Sequence, residues 1–355
     1  MDDRLSNLRH KLTEQEIDAI FVSQAENRRY LSGFAGSAGF LLITQQKAIL
    51  ATDFRYIEQA KIQAPDYAIT RISGELASWF PALVEEAGII KLGFEARHVT
   101  YGSYNQLNNA VNRLKSPVRL IPLEGMVEAL RTIKEPAEIE LITRAAEISD
   151  KAFHHIEAII HAGMTENEAA WELEKFMREN GSEALPFEII VASGPNAALP
   201  HIRPSQRIMQ EGEPVVIDIG ARVNGYSSDL SRTICPGTPD DTFKKIYDTV
   251  LGAQLTVTAI IREGITGDEA DRLARTVIEE AGYGEAFGHA LGHGVGLAPH
   301  ELPRLGPGSK DKIANGMVFT IEPGIYLPGW GGVRIEDLFV MEGDKAKAIS
   351  QARKV

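Results

Sequence analysis

The second half of the chain repeats itself, and the repeat limits what it can fold into. AIIHAGMTENEA, from Ala158 to Ala169, returns as AIIREGITGDEA from Ala259 to Ala270. Each copy ends a helical pattern at a glycine, Gly163 or Gly264. Each then opens another with Thr165-x-x-Glu168 or Thr266-x-x-Glu269, a capping box in which the two side chains satisfy each other's free backbone donors. The same spacing separates Gly181 from Gly282, both placed where a left-handed residue ends a helix. Apolar runs follow in the same order: GEPVVIDIG (212–220) is answered by GMVFTIEPG (316–324), so Asp218 corresponds to Glu322. Asp229 in SSDLS is answered by Glu336 in VRIEDLF. Two related α/β halves are expected, each contributing a strand pair that carries two acids.

The first strand pair can be built in more detail. Asn224-Gly225 suits a two-residue type I′ turn, because both central positions need positive φ. Such a turn sets Asp229 opposite Gly220 and leaves Asp218 two residues further along the same face, roughly 7 Å away on the diagonal. PVVIDI is apolar on both faces, so Asp218 is expected to be buried. Two carboxylates about 4 Å apart repel by roughly 4 kcal/mol at an effective dielectric near 20. A sheet interior tolerates that only with a cation between them. In the second pair, Glu336 and Asp337 are neighbours and must face opposite ways. Parity with Arg334 favours Glu336 as the inward acid.

Four inward carboxylates call for two divalent cations, and oxygen ligands favour manganese, magnesium or calcium. A histidine among the ligands moves the choice towards manganese, cobalt, iron or zinc. GHALGHGVGLAPHE offers His289, His293 and His300 among glycines that permit close backbone approach. Two metals at about 3.5–4 Å would activate a water and stabilise an oxyanion.

Residues 1–122 read as a separate α/β domain, with strands in IDAIFVS, GFLLIT, KAILAT and YAITRI. Its helices are expected in FRYIEQAKIQA, ELASWFPALVEEAG and YGSYNQLNNAVNRLK. GFAGSAGF lacks the spacing of a dinucleotide loop, and no phosphate-binding lysine follows it. The duplicated domain occupies 123–355, with Pro136 in the first turn of a long helix. At 355 residues the chain has room for these two domains. A net charge of −12 argues against a nucleic-acid partner. No apolar run is long enough to span a membrane. The N-terminus lacks the apolar core of a signal peptide and reads as an amphipathic helix, and a single cysteine is compatible with a reducing compartment, so a cytoplasmic setting is expected.

VVIDIG, SSDLSRT, GHGVG, FTIEPG and RIED, in that order, resemble the metallopeptidase family of aminopeptidase P, prolidase, methionine aminopeptidase and creatinase. That resemblance covers essentially the whole chain. It implies a creatinase-type N-terminal domain and a pita-bread catalytic domain, an α/β (α+β) architecture with pseudo-twofold symmetry. It implies that Asp218, Asp229, His293, Glu322 and Glu336 bind two divalent ions, manganese first, with cobalt or zinc as alternatives. The nucleophile would be a hydroxide bridging them. His201 and His300 would polarise the scissile carbonyl, and Glu322 would carry the proton. Arg334 would pair with Asp218, while His289, Phe187 and Tyr326 would help line the substrate pocket. Short proline-containing peptides are the implied substrates, and a homodimer the implied assembly. NRRYLSGFAGSAGFLLIT and ATDFRYIEQA look closest to aminopeptidases P, which cleave Xaa-Pro at the N-terminus of peptides. Prolidase, acting on dipeptides, is the alternative, and a non-catalytic binding module is a distant third.

Overall fold

The computed structural model describes residues 2–354, and the chain divides into two compact units, Met1–Arg131 and Thr132–Val355. The first unit holds the strands β1 (Ala19–Val22), β2 (Phe40–Thr44), β3 (Ala48–Thr52), β4 (Ala68–Arg71), β5 (Lys91–Glu95) and β6 (Arg119–Leu123). They form one sheet in the order β4-β3-β2-β1-β5-β6. Its helices are α1 (Asp2–Glu14), α2 (Ala25–Ser32), α3 (Ile57–Gln63), α4 (Leu76–Ala87), α5 (Tyr101–Val111) and α6 (Met126–Arg131). Phe21, Leu42 and Leu92 from the sheet pack against Phe80, Val84 and Leu107 from α4 and α5.

The glycine-spaced loop after α2 closes around an arginine. Arg28, 4% exposed, donates to the carbonyls of Gly36 and Gly39 and fills the turn from inside. The expected division at residues 122–123 falls at the last residue of β6, before α6 begins. The compact unit continues to Arg131 because α6 is tied back to α2. Asn27 Nδ2 donates to Glu128 Oε1 (2.9 Å), and Arg131 Nη1 donates to Asn27 Oδ1 (2.7 Å).

The second unit is the duplicated one. Its first half runs α7 (Pro136–Ile159), α8 (Glu166–Glu179), β7 (Ile190–Ser193), β8 (Val215–Ile219), β9 (Arg222–Val223), β10 (Tyr226–Ser227) and β11 (Leu230–Ile234). Its second half runs α9 (Asp241–Ile260), α10 (Gly267–Glu280), β12 (Gly292–Gly294), β13 (Glu301–Leu305) and β14 (Val318–Ile321), then β15 (Gly324–Leu327), β16 (Gly331–Arg334), β17 (Asp337–Glu342) and β18 (Lys345–Ala348). The strand order β11-β8-β7 in one sheet matches β17-β14-β12 within the other, β13-β12-β14-β17-β18.

The match extends to single bonds. Both capping boxes form, at Thr165/Glu168 and Thr266/Glu269. Gly163 N–H donates to Met209 O (2.9 Å) just as Gly264 N–H donates to Ile313 O (2.8 Å). Thr165 bridges Ile208 just as Thr266 bridges Lys312. In each half the helix pair covers one face of its sheet. Phe153 and Leu173 pack on Ile217 and Leu230, while Val250 and Ala274 pack on Phe319 and Phe339. Fully burying such side chains contributes roughly 1.5–3 kcal/mol each. No described helix is long and apolar enough to cross a membrane.

The Asn224-Gly225 turn forms as its residues require, with φ of 43° and 78°. Glu183 accepts from both turn amides, at 2.8 and 3.1 Å. Tyr226 pairs with Val223 and Leu230 with Ile219, so one register holds along the whole hairpin. Replacing Gly225 with alanine is expected to cost about 1 kcal/mol, because a Cβ disfavours the left-handed region. Thermal unfolding of Gly225→Ala should show a lowered midpoint, and an unchanged midpoint would contradict this account of the turn.

Candidate metal centre

The two hairpins face each other across a cavity of about 210 Å³. Asp218 projects from β8, and Asp229 lies directly before β11, as their register dictates. The second hairpin is not an exact copy of the first. Ile321 pairs with Asp337 and Gly324 with Arg334, and that register sets Glu322 opposite Glu336, whereas Asp218 and Asp229 stand on a diagonal. The backbone joins the halves at this point. Glu336 N–H donates to Ser231 O (3.0 Å), and Arg334 N–H donates to Thr233 Oγ1 (2.9 Å).

The adjacent acids Glu336 and Asp337 separate as strand parity requires. Glu336 faces the cavity and accepts from Ser231 Oγ (2.8 Å). Asp337 turns away to a buried pair with Arg232 (2.6 Å), their side chains 2% and 1% exposed. Arg232 also donates to the Ala352 and Glu336 carbonyls, so it pins the backbone on which Glu336 sits.

His293 enters from β12. A Cβ on Gly292 would overlap the Thr320 carbonyl, and one on Gly294 the Leu302 carbonyl, so only glycine allows this strand to lie so close. His293 Nδ1 lies 3.1 Å from Gly294 O, which favours the tautomer leaving Nε2 as a ligand. Nε2 is 3.3 Å from Glu322 Oε1 and 3.7 Å from Asp229 Oδ2. Ligand atoms of Asp229, His293 and Glu336 lie within 4.8 Å of one another. Asp218 Oδ2 accepts from Arg334 Nη2 at 2.6 Å, while its Oδ1 is buried and meets no protein donor.

Electrostatics gives a cation its reason. Burial, then the charges of Glu336, Asp218 and Glu322, push Asp229 well above the usual carboxylate range. Burial, then Glu322 and Asp218, do the same to Glu336. Burial also raises Asp218, against the pull of Arg334. Burial would raise Glu322 too, but the hydrogen bond and charge of His293 overcome it and hold that carboxyl down at about 2. A crowd of acids, one imidazole with its Nε2 turned inward and one orphaned carboxylate oxygen fit divalent metal ions.

His201, His300 and Phe187 line the same cavity. His300 lies against His293, ring centres 4.1 Å apart. The short 3₁₀ turn Gly194–Ala198 brings in the His201 loop and sits against β16, where a Cβ on Gly332 would overlap Ala197 O. Asp218 is only partly buried, 15% exposed, because its outer edge opens on the cavity. His289 and Tyr326 do not line it. They form a row behind Arg334: its Nη1 donates to Tyr326 Oη (3.0 Å), and Tyr326 Oη lies 2.9 Å from His289 Nε2. A buried guanidinium needs acceptors, and these two supply one. That row and the Arg232–Asp337 pair had no signal in spacing alone.

Residues 140–342 match the family described as Metallopeptidase family M24, and residues 4–133 match the Creatinase/Prolidase N-terminal domain. The chain belongs to metallopeptidase family M24. It is 36% identical over 355 residues to an Xaa-Pro dipeptidase of Pyrococcus horikoshii, covering 100% of this chain and 98% of the relative. The solved Xaa-Pro dipeptidase from Bacillus anthracis is similar throughout, with TM-score 0.95, 44% identity and coverage of 99% and 98%. So is the X-Pro aminopeptidase from Thermotoga maritima, with TM-score 0.87, 36% identity and coverage of 96% and 97%. The N-terminal creatinase-like unit and the pita-bread unit are thus the family's domains, and membership implies divalent metal ions as cofactors.

Metal binding should be linked to pH. A carboxyl raised in the fold keeps its proton where the unfolded chain has lost it, so stability falls as pH rises through that window. Asp229 and Glu336 are of this kind. His293, also raised, loses its contribution as pH rises through its folded value. Glu322, held down, loses its contribution only as pH falls towards 2. The chelated protein should therefore lose stability as pH rises above the ordinary carboxylate range, and the rise in melting temperature on adding metal should widen. A gap that narrows with pH contradicts this. Gly294→Ala should weaken metal affinity at least tenfold by displacing His293, read by calorimetric titration.

Proposed function

We propose that the chain is an Xaa-Pro exopeptidase working with two divalent ions, manganese first and cobalt or zinc as alternatives. Dipeptides are the preferred substrates. The carrying observation is the gathering of Asp218, Asp229, His293, Glu322 and Glu336 around one small cavity. Full-length relatives named Xaa-Pro dipeptidase, at 44% and 36% identity, favour dipeptides. The X-Pro aminopeptidase relative, also at 36%, supports a second reading in which longer peptides are trimmed. Intact acids and imidazole argue against a non-catalytic binding module.

Those five residues would hold the ions, which when bound supply a water activated for attack and a Lewis acid for the carbonyl. Arg334, anchored by Tyr326 and by Pro200 O, keeps Asp218 aimed at the centre through its 2.6 Å bond. Glu322 is ionised at neutral pH and can take the proton of the attacking water. The prolyl nitrogen, like any amide nitrogen, leaves as an amine only when protonated as the C–N bond breaks. Glu322 passes it that proton. Burial, first of all, lowers the pKa of His300, which favours a neutral ring that donates through one N–H. With His201 it would meet the charge developing on the carbonyl oxygen. A single cysteine supports a cytoplasmic setting. The homodimer follows the family resemblance.

Turnover of Ala-Pro, Ala-Pro-Gly and Ala-Ala with added manganese tests the reading. Ala-Pro should have the highest kcat/KM. A tenfold preference for Ala-Pro-Gly moves the assignment to an aminopeptidase, and no cleavage of either proline peptide overturns it. Arg334→Gln should cost about 10–100-fold in metal affinity or activity, as expected for a group that orients a ligand. Undiminished metal binding and turnover would remove Arg334 from that role.

A further inference from the structure

Glu166 opens α8 and is fully buried, yet the metal centre makes no use of it. Its carboxylate gathers donors from both ends of the loop that carries His201. Oε1 accepts from the Ser193 amide (2.8 Å), Ser193 Oγ (2.8 Å) and Asn196 Nδ2 (3.0 Å), where the loop leaves β7. Oε2 accepts from the Ser205 amide (3.0 Å) and from Ser205 Oγ (2.6 Å), on the far side of His201. A buried carboxylate is costly unless its lone pairs find donors, and these side chains and amides supply them. Ser193 is tied in turn to Arg207, whose guanidinium holds Glu213 through two bonds, at 2.5 and 2.6 Å. Between the two ends, Ile202 packs against Ile190, Ala192, Ala197 and Val216.

The duplication shows what the fold needs here and what it does not. Glu166 N–H donates to Arg207 O (3.1 Å) and Asn167 N–H to Ser205 O (3.0 Å). In the second half Gly267 N–H donates to Asp311 O (2.8 Å) and Asp268 N–H to Ser309 O (3.2 Å), so the backbone bonds recur. The residue that matches Glu166 is Gly267, where a Cβ would overlap Arg304 O. The scaffold therefore closes this loop on its helix without a carboxylate. The loops differ in what they present. The cavity wall takes His201, Ile202 and Arg203 from the first loop and, among the described residues, nothing from 306–317.

We propose that Glu166 is a positioning residue, clamping both ends of the 193–205 loop and so fixing His201 where the substrate's carbonyl oxygen gains charge. This rests on the role given to His201 in the Xaa-Pro reading. A donor stabilises a developing anion best when it is already in place, because no reorganisation is then needed as the charge forms. Without the clamp the loop keeps its backbone ties to α8 and the Ile202 contact, but the turn that presents His201 is free to shift.

The test is a double-mutant cycle on the manganese-loaded enzyme with Ala-Pro as substrate. Glu166→Gln keeps the shape of the side chain and replaces one acceptor oxygen with a donor. Its kcat should fall roughly tenfold to a hundredfold, with KM and calorimetric metal affinity within about threefold of wild type, since the weakened contact is one made in the transition state. In the His201→Ala background the same substitution should cost less than about threefold further. A merely structural role lowers kcat equally in both backgrounds, and that result overturns the proposal, as does wild-type kcat in Glu166→Gln. Hydrogen exchange read by mass spectrometry separates this from failure of the Xaa-Pro reading. Backbone amides between Asn196 and Ser205 should exchange at least about tenfold faster in Glu166→Gln, while those of the matching loop, 309–317, do not change. That outcome supports the clamp even if no proline peptide is cleaved, and unchanged exchange at 196–205 overturns it. Should Glu166→Gln not fold, Ser205→Ala removes the 2.6 Å donor alone and should follow the same pattern with a smaller loss in kcat. Equal losses for Ser205→Ala with and without His201 overturn the proposal.

Discussion

Mutual repulsion of buried carboxylates is the interaction on which the rest of the catalytic unit depends. Asp218, Asp229, Glu322 and Glu336 converge on one cavity, and three of them are pushed above the normal carboxylate range. Such an arrangement survives only with positive charge close by. The protein supplies part of it through Arg334 and His293, and the membership in a metallopeptidase family accounts for the remainder. Much else around the centre reads as restraint on these acids. Ser231 holds Glu336, Arg334 holds Asp218, and Arg232 pins the strand below.

The duplication explains how the acids are brought together. A single hairpin with two acids has no partner for its charge. Two related halves, each with its helix pair on one face, present their hairpins to each other, so that one cavity collects all four carboxylates. The two copies differ in how their acids are set. Glu322 faces Glu336 directly, while Asp218 and Asp229 stand diagonally, so the four oxygens are not arranged with exact symmetry.

Much of this was legible because short-range rules decide it. The Asn224-Gly225 turn sets the register of its hairpin, and strand parity separates Glu336 from Asp337. Both capping boxes and the first-turn position of Pro136 follow from local backbone chemistry. What escaped depends on contacts across long stretches of chain. Nothing near Arg232 announces that it meets Asp337 and the carbonyl of Ala352. Tyr326 and His289 read as pocket residues in the sequence, where nothing shows that Tyr326 accepts from Arg334 and that His289 lies against the Tyr326 hydroxyl. The extension of the first unit to Arg131 rests on Asn27, whose partners in α6 lie about a hundred residues away. Short elements such as α2 and β5 carry little signal in the sequence, because few residues hold their periodicity.

The central claim is that these paired hairpins close around two metal ions. X-ray diffraction at the manganese absorption edge, on crystals grown with the metal, tests it most directly. Two anomalous peaks between Asp218, Asp229, His293, Glu322 and Glu336 are the predicted result. No peak there, with those acids carrying no cation or paired to other protein groups, would contradict the account.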